Sequence, residues 1–194
     1  EPITLAVLLV LTEALLAVVG GLSRMSEAQP QALAEEWVQR GMHDMQAGKY
    51  ADAVTAFRTA LLYRRDNDAY MLNFAESLLE NGQLDEANAY LTGIWERHPE
   101  NGQVILELAR IAARQGEIKR AIRYFHNAMY AAWPAGQENE RRNARFEVID
   151  LLLRENDKTQ AQAELIALAE NVPNEPATAV RIGNLFLQAQ DNAH

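Results

Sequence analysis

From Ile3 to Leu22 the chain is almost continuously apolar, with only Thr4, Thr12 and Glu13 interrupting the run. From Ala34 onward the pattern changes. Apolar residues recur three and four positions apart, marking one face of one helix after another. Met71, Phe74, Ala75 and Leu78 mark one such helix, and Ala87, Leu91 and Ile94 the next. Asn81-Gly82-Gln83 breaks the two apart, since glycine can take the positive φ of a helix end. Pro99 then closes the second helix.

This unit repeats. Gly48, Gly82 and Gly116 are evenly spaced, and the same interval separates Ala53, Ala87 and Ala121, then Phe57, Leu91 and Phe125, then Ala60, Ile94 and Ala128. A fixed period of that length predicts stacked helix–turn–helix units instead of one closed core. The small residues at 53, 87, 121 and 161 let the second helix of each pair approach the first, while larger side chains fill the space between pairs. One pair alone buries too little surface to be stable, so stacking completes the core.

The stretches AEEWVQRGMHDMQAGKYADAVTAFRTAL from Ala34, AYMLNFAESLLENGQLDEANAYLTGIWERHP from Ala69 and VILELARIAARQGEIKRAIRYFHNAM from Val104 resemble the tetratricopeptide repeat family. Trp37, Gly41, Gly48, Tyr50, Ala53, Phe57 and Ala60 match the family pattern in the first unit. The resemblance implies an all-α fold, a right-handed superhelical solenoid of antiparallel helix pairs over 34–194. Pairs are expected near 34–67, 68–101, 102–135 and 142–175, with a partial fifth over 176–194. The fourth rests on Val148, Ile149, Leu152, Ala161, Leu165, Leu168 and Pro173. Ala161 follows Ala121 by more than one period, so six positions are inserted, expected within Gly136–Arg141. Pro176 to Phe186 looks like the first helix of the fifth pair, which leads us to expect a longer chain. The first pair departs from the family at Arg40 and Asp44, where apolar or aromatic residues are usual. One helical turn apart, these two are expected to form an ion pair on a solvated end face.

In arrays of this kind the first helices of successive pairs line a concave groove. Helical spacing assigns to it Val38, Met42 and Met45, then Leu72, Glu76 and Leu79, then Leu106, Arg110 and Ala113, then Phe146, Asp150 and Leu153. The lysine–asparagine clamp with which some relatives grip a terminal carboxylate is absent, because Val38 and Met42 hold those places. A mostly apolar lining suits a helix or hydrophobic segment of another subunit. The competing reading is that some of these side chains pack inside the array.

Residues 1–25 predict a transmembrane helix, followed by a linker at 26–33 whose Ser26–Gln31 segment forms a polar hinge with Pro30. As a helix, the apolar run spans about 30 Å, the thickness of the hydrocarbon core. A secretory leader has a shorter apolar region preceded by basic residues; Glu1-Pro2 is no such flank. Residues 3–22 would therefore contact the lipid bilayer. Glu13 shares a helical stripe with Ala17, Gly20 and Gly21, and Ala17 with Gly21 forms a small-xxx-small pair that lets a partner helix come close. Only Arg24 and Arg40 follow near the anchor, which places the array on the non-cytoplasmic side.

Composition narrows the chemistry. Among 194 residues, 18 Lys and Arg against 27 Asp and Glu give a net charge of −9, which argues against nucleic acid as a partner. The charge is uneven: residues 68–101 carry seven acids and one base, residues 102–133 two acids and five bases. With no cysteine, disulfides, thiolate metal sites and cysteine nucleophiles are excluded. His43, His98, His126 and His194 have no metal-ligand spacing. There is no phosphate-binding glycine loop and no Gly-x-Ser-x-Gly elbow. No catalytic residue, cofactor, metal or small-molecule substrate is expected. The expected function is a non-catalytic, single-pass membrane scaffold contacting protein subunits of a membrane assembly. An extracellular filament subunit polymerising through its apolar helix, and a membrane-tethered assembly factor or chaperone, are the alternatives.

Overall fold

The computed structural model describes Glu13, residues 29–170 and residues 175–190. Among these residues the chain is helical throughout, with no strand beyond a single bridge between Asn101 and Ala132. Residues 29–46 form α1. It is followed by α2 (Tyr50–Tyr63), α3 (Asp68–Glu80), α4 (Leu84–Arg97), α5 (Gly102–Arg114), α6 (Ile118–Tyr130), α7 (Glu138–Arg154), α8 (Lys158–Ala169) and α9 (Pro176–Gln190). Two helices lie within each of residues 29–63, 68–97, 102–130 and 138–169, and α9 follows them.

One device ends the first helix of every complete pair. After α1, Gly48 N–H donates to the Met45 carbonyl and Lys49 N–H to the Asp44 carbonyl, at 3.1 and 2.8 Å. The same two bonds recur at Gly82 and Gln83, at Gly116 and Glu117, and at Asn156 and Asp157. This is a Schellman cap, whose outer residue must take a left-handed conformation. Gly82 has φ +79°, and Asn156, at φ 59°, is the sole non-glycine with positive φ among the described residues. Helix starts repeat too: Asn67 Oδ1 accepts from Tyr70 N–H, and Asn101 Oδ1 from Gln103 and Val104 N–H. Each such cap contributes about 1 kcal/mol.

The chain divides into two compact units, one up to Gln83 and one from Leu84. In the first, α2 buries Ala53, Val54, Ala56, Phe57, Ala60 and Leu61. The Phe57 ring lies on Gly41 of α1, so close that a Cβ there would sit 2.8 Å from the ring. In the second, each helix packs on its neighbour in sequence and α5 also meets α7. Ala53, Ala87, Ala121 and Ala161 are all fully buried, as their close-approach role requires.

Three expectations are corrected. Residues 29–33, placed in a polar linker, are helical. Pro30 tolerates this because proline fits a helix's first turn, and Gln31 Nε2 donates to Glu35 Oε1 one turn on. Arg40 does not pair with Asp44: its guanidinium lies 5.2 Å from the centre of the Trp37 ring, and Asp44 is buried. The six-position insertion, expected within Gly136–Arg141, is divided between a longer connection at 131–137 and the start of α7. Helix α7 is four positions longer than α5, so most of the insertion extends the helix. The polar run beyond Gly136 lacks glycine and proline and favours helix.

Glu13 is helical and exposed. The rest of the apolar run, including Ala17, Gly20 and Gly21, lies outside the described residues. No helix among the described residues is long and apolar enough to cross a membrane.

Candidate functional site

The residues expected to line a groove separate into two sets. Val38, Leu72, Leu79, Leu106 and Phe146 are buried, Phe146 to 3% exposure and Leu106 to 1%. Met42, Met45, Glu76, Arg110, Ala113, Asp150 and Leu153 keep partial or full exposure. In the second unit the reason is visible. Leu106, Ala109 and Ala113 of α5 share a cluster with Ala144, Val148 and Leu151 of α7. Phe146, Ile149 and Leu153 of α7 share another with Ile182, Leu185 and Ala189 of α9. The stripe assigned to the groove therefore stacks one pair on the next.

What the first helices of this unit leave accessible is charged. Arg110 Nε donates to Glu147 Oε2 at 2.9 Å and Nη2 to Oε1 at 2.5 Å, bridging α5 to α7. Its Nη1 pairs with Glu107, whose side chain is only 5% exposed. Burial by itself would lower the Arg110 pKa. The hydrogen bond to Glu147 and the charges of Glu107 and Glu147 outweigh it, so the guanidinium is held above its ordinary range. One step along, the polarity reverses: Asp150 of α7 meets Arg181 of α9 at 3.3 Å, and the Arg181 guanidinium stacks 3.9 Å from the Phe146 ring centre. These bonds fix the helices' relative setting and the positions of the charges together.

Beside this ladder lies an open cavity of about 450 Å³ lined by Asp150, Leu153, Arg154, Lys158 and Gln188. Leu153 supplies an apolar floor, and the other four supply donors and acceptors of both signs. Such a hollow accepts an apolar side chain flanked by polar ones, as a docking peptide presents.

Where α6, α7 and α8 meet, Arg145 Nε and His126 Nε2 approach the two oxygens of Glu164 at 3.5 and 3.2 Å. The His126 approach is too oblique to be a hydrogen bond. His43 and His98 are exposed, and no group of three or more acidic, histidine or cysteine side chains capable of holding a metal occurs among the described residues.

Sequence reasoning missed Trp133. Its indole N–H donates to the Ala128 carbonyl at 2.7 Å, and the ring covers Gly102 so closely that a Cβ there would be 2.5 Å away. Gly102 N–H donates to the Ala132 carbonyl, and Ala132 N–H to that of Glu100. A tryptophan in a loop, opposite a glycine opening a helix, was the available signal.

The tetratricopeptide repeat profile matches residues 44–91 and 78–132. No curated protein matches the sequence. Among solved structures, MamA (41-end) from Desulfovibrio magneticus RS-1 superposes with a TM-score of 0.59 at 18% identity, over 71% of this chain and 74% of that one. TTC0263, a tetratricopeptide repeat protein of Thermus thermophilus, gives 0.50 at 16% identity, over 79% and 99%. YrrB, described as a tetratricopeptide repeat protein with an unusual peptide-binding site, gives 0.55 at 16%, over 87% and 86%. The chain thus carries tetratricopeptide repeats and has the all-helical solenoid fold of such proteins.

Proposed function

We propose that this chain is a non-catalytic scaffold that docks protein partners onto a membrane assembly. The observation that carries the docking is the hollow at Leu153, set beside charges held in place by the Arg110–Glu147 and Asp150–Arg181 pairs. A surface whose charges are already fixed spends little ordering entropy on binding. The repeat architecture of the similar solved structures, one of them described as having a peptide-binding site, supports the same reading. A partner segment carrying an apolar side chain with flanking charges would fill the hollow.

Anchoring rests on the apolar run Ile3–Leu22. In this reading Glu13, Ala17, Gly20 and Gly21 face a partner's transmembrane helix, because a glutamate at mid-membrane costs about 3 kcal/mol if it faces lipid. The sparse basic flank puts the array on the non-cytoplasmic side.

The test is co-purification from membranes in mild detergent. Arg154→Ala and Lys158→Ala are expected to lose a stoichiometric protein partner while far-UV circular dichroism and melting stay unchanged. Retention of the partner by both variants sinks the docking surface. Alkaline extraction examines the anchor separately: release of the chain into the soluble fraction overturns membrane insertion and leaves the scaffold reading standing.

A further inference from the structure

Helix α6 departs from its counterparts in the other pairs. It carries three cations, Lys119, Arg120 and Arg123, and no acid. Counting from the small residues at 53, 87, 121 and 161, the place of Arg120 is held in the other second helices by Asp52, Glu86 and Gln160. The place of Arg123 is held by Thr55, Ala89 and Ala163. The repeat is thus built three times without these guanidiniums, so stacking does not call for them. Both line an open hollow of about 310 Å³, with Tyr124, His126 and Asn127. No carboxylate is among the described residues that line it.

We propose that this hollow on α6 binds an acidic segment of a partner protein, whose carboxylates are held by Arg120 and Arg123. Arg120 is set in place beforehand: its Nη1 donates to Glu117 Oε2 at 2.8 Å, and the guanidinium lies 5.4 Å from the Tyr124 ring centre. A guanidinium has five N–H donors, so one bond to Glu117 leaves others in the fork for a second carboxylate. Arg123, one turn on, is exposed and has no hydrogen-bond or ion-pair partner among the described residues. Planar guanidinium forks match carboxylates with two parallel bonds. Asn127 continues the stripe and is exposed, and Tyr130 ends it at 83% exposure. Tyr130 is about 10 Å from Arg123 along the helix. An extended segment rises about 3.3 Å per residue, so an apolar residue three positions from the carboxylate reaches the Tyr130 ring.

The chain itself offers no such segment nearby. Glu117 is engaged by Arg120, and Glu164 is approached by Arg145 and His126. Outside the described residues the acids are Glu1, Glu27 and Asp191, no two of them adjacent. An anionic membrane recruits clusters of about four or more cations, whereas two guanidiniums line this hollow. The net charge of −9 opposes an acidic partner only at a distance, because salt screens charges beyond about 8 Å and the local guanidiniums decide the contact. The site shares no residue with the hollow at Leu153, and its failure would leave that reading untouched.

The probe is a fluorescent peptide with two adjacent glutamates and a leucine three positions on, titrated with the full chain and read by anisotropy. Saturable binding is expected, and its loss when the glutamates are replaced by glutamines. The double variant Arg120→Gln, Arg123→Gln should weaken it by about tenfold or more, with helicity and melting unchanged. Arg114→Gln, which removes an exposed cation from α5, should leave it unchanged. Tyr130→Ala should weaken binding of this peptide but not of one with glycine in place of the leucine. Absence of saturable binding overturns the proposal. So does equal weakening by Arg114→Gln, which would mean general charge attraction. Co-sedimentation with phosphatidylserine vesicles that the double variant abolishes would assign the arginines to a lipid surface. Self-association that it abolishes would assign them to a second copy, and either result also overturns the proposal.

Discussion

Helices α7 and α9 occupy the same place in successive repeats and carry the same kind of stripe, yet one stripe is interior and the other is surface. Phe146 is 3% exposed and its counterpart Val180 is 63% exposed. Ile149 is fully buried, whereas a Cβ on Gly183 would meet nothing within 4 Å among the described residues. The difference is not in hydrophobic period, which is helical in both, but in whether another of the described helices packs on it. In a stacked array a residue's role is set by its neighbour pair as much as by its own helix. The same apolar stripe is thus core where a neighbouring helix covers it and surface where none of the described helices does.

The largest expected effect tests the covered stripe. Phe146→Ala should lower stability by about 3–5 kcal/mol, the usual cost of truncating a buried phenylalanine. Val180→Ala should change it by no more than about 0.5 kcal/mol, as exposed substitutions do. Urea unfolding of the two variants side by side measures the contrast. Equal losses would mean that the α9 stripe is covered in solution, and the comparison would collapse.

The charge ladder provides the second contrast. Arg110→Ala removes the cation that buried Glu107 and half-buried Glu147 share. Loss of a buried partner costs about 3–5 kcal/mol, and the partial exposure of Arg110 and Glu147 brings the expectation down to about 2–3 kcal/mol. Arg181→Ala removes a pair whose members are 50% and 45% exposed, so about 1 kcal/mol or less is expected. The Arg110 contribution should also be insensitive to pH around neutrality. A pKa raised on folding stabilises fully at every pH below the unfolded value and is lost only above it. Melting of both variants between about pH 6 and 9 checks size and pH-independence together.

The sequence period made the helix pairs legible because their punctuation is chemical. Glycine at 48, 82 and 116 and asparagine at 156 occupy the one left-handed position of each cap, so the turns could be read directly. The destination of each face was less legible. Spacing identifies Leu106 and Phe146 as apolar residues on one side of a helix, but what covers them comes a whole repeat later. Arg110 shows the same limit. Helical spacing assigns it to the groove, while its partner Glu147 also lies a repeat away. The hinge at Pro30 failed for another reason: proline signals a helix start as readily as a break. The Trp133 plug on Gly102 escaped because a loop tryptophan has no period to betray it.

The smallest effects come from two glycines at equivalent places in α1 and α9, and they differ in sign. Both are helical, and replacing an exposed helical glycine by alanine stabilises by about 0.5–1 kcal/mol through backbone entropy. At Gly183 nothing opposes that gain, so Gly183→Ala should raise the melting temperature slightly. At Gly41 the added methyl would lie 2.8 Å from the Phe57 ring, which is itself only 1% exposed and has little room to withdraw. Overpacking of this kind costs about 1–3 kcal/mol, so Gly41→Ala should destabilise despite the same entropic gain. A second substitution separates the two contributions. Phe57→Leu lowers stability alone, but it clears space over residue 41, and Gly41→Ala in that background should become neutral or stabilising. If Gly41→Ala costs the same with either residue at 57, the ring is not what requires the glycine, and the contrast between a covered Gly41 and an open Gly183 fails.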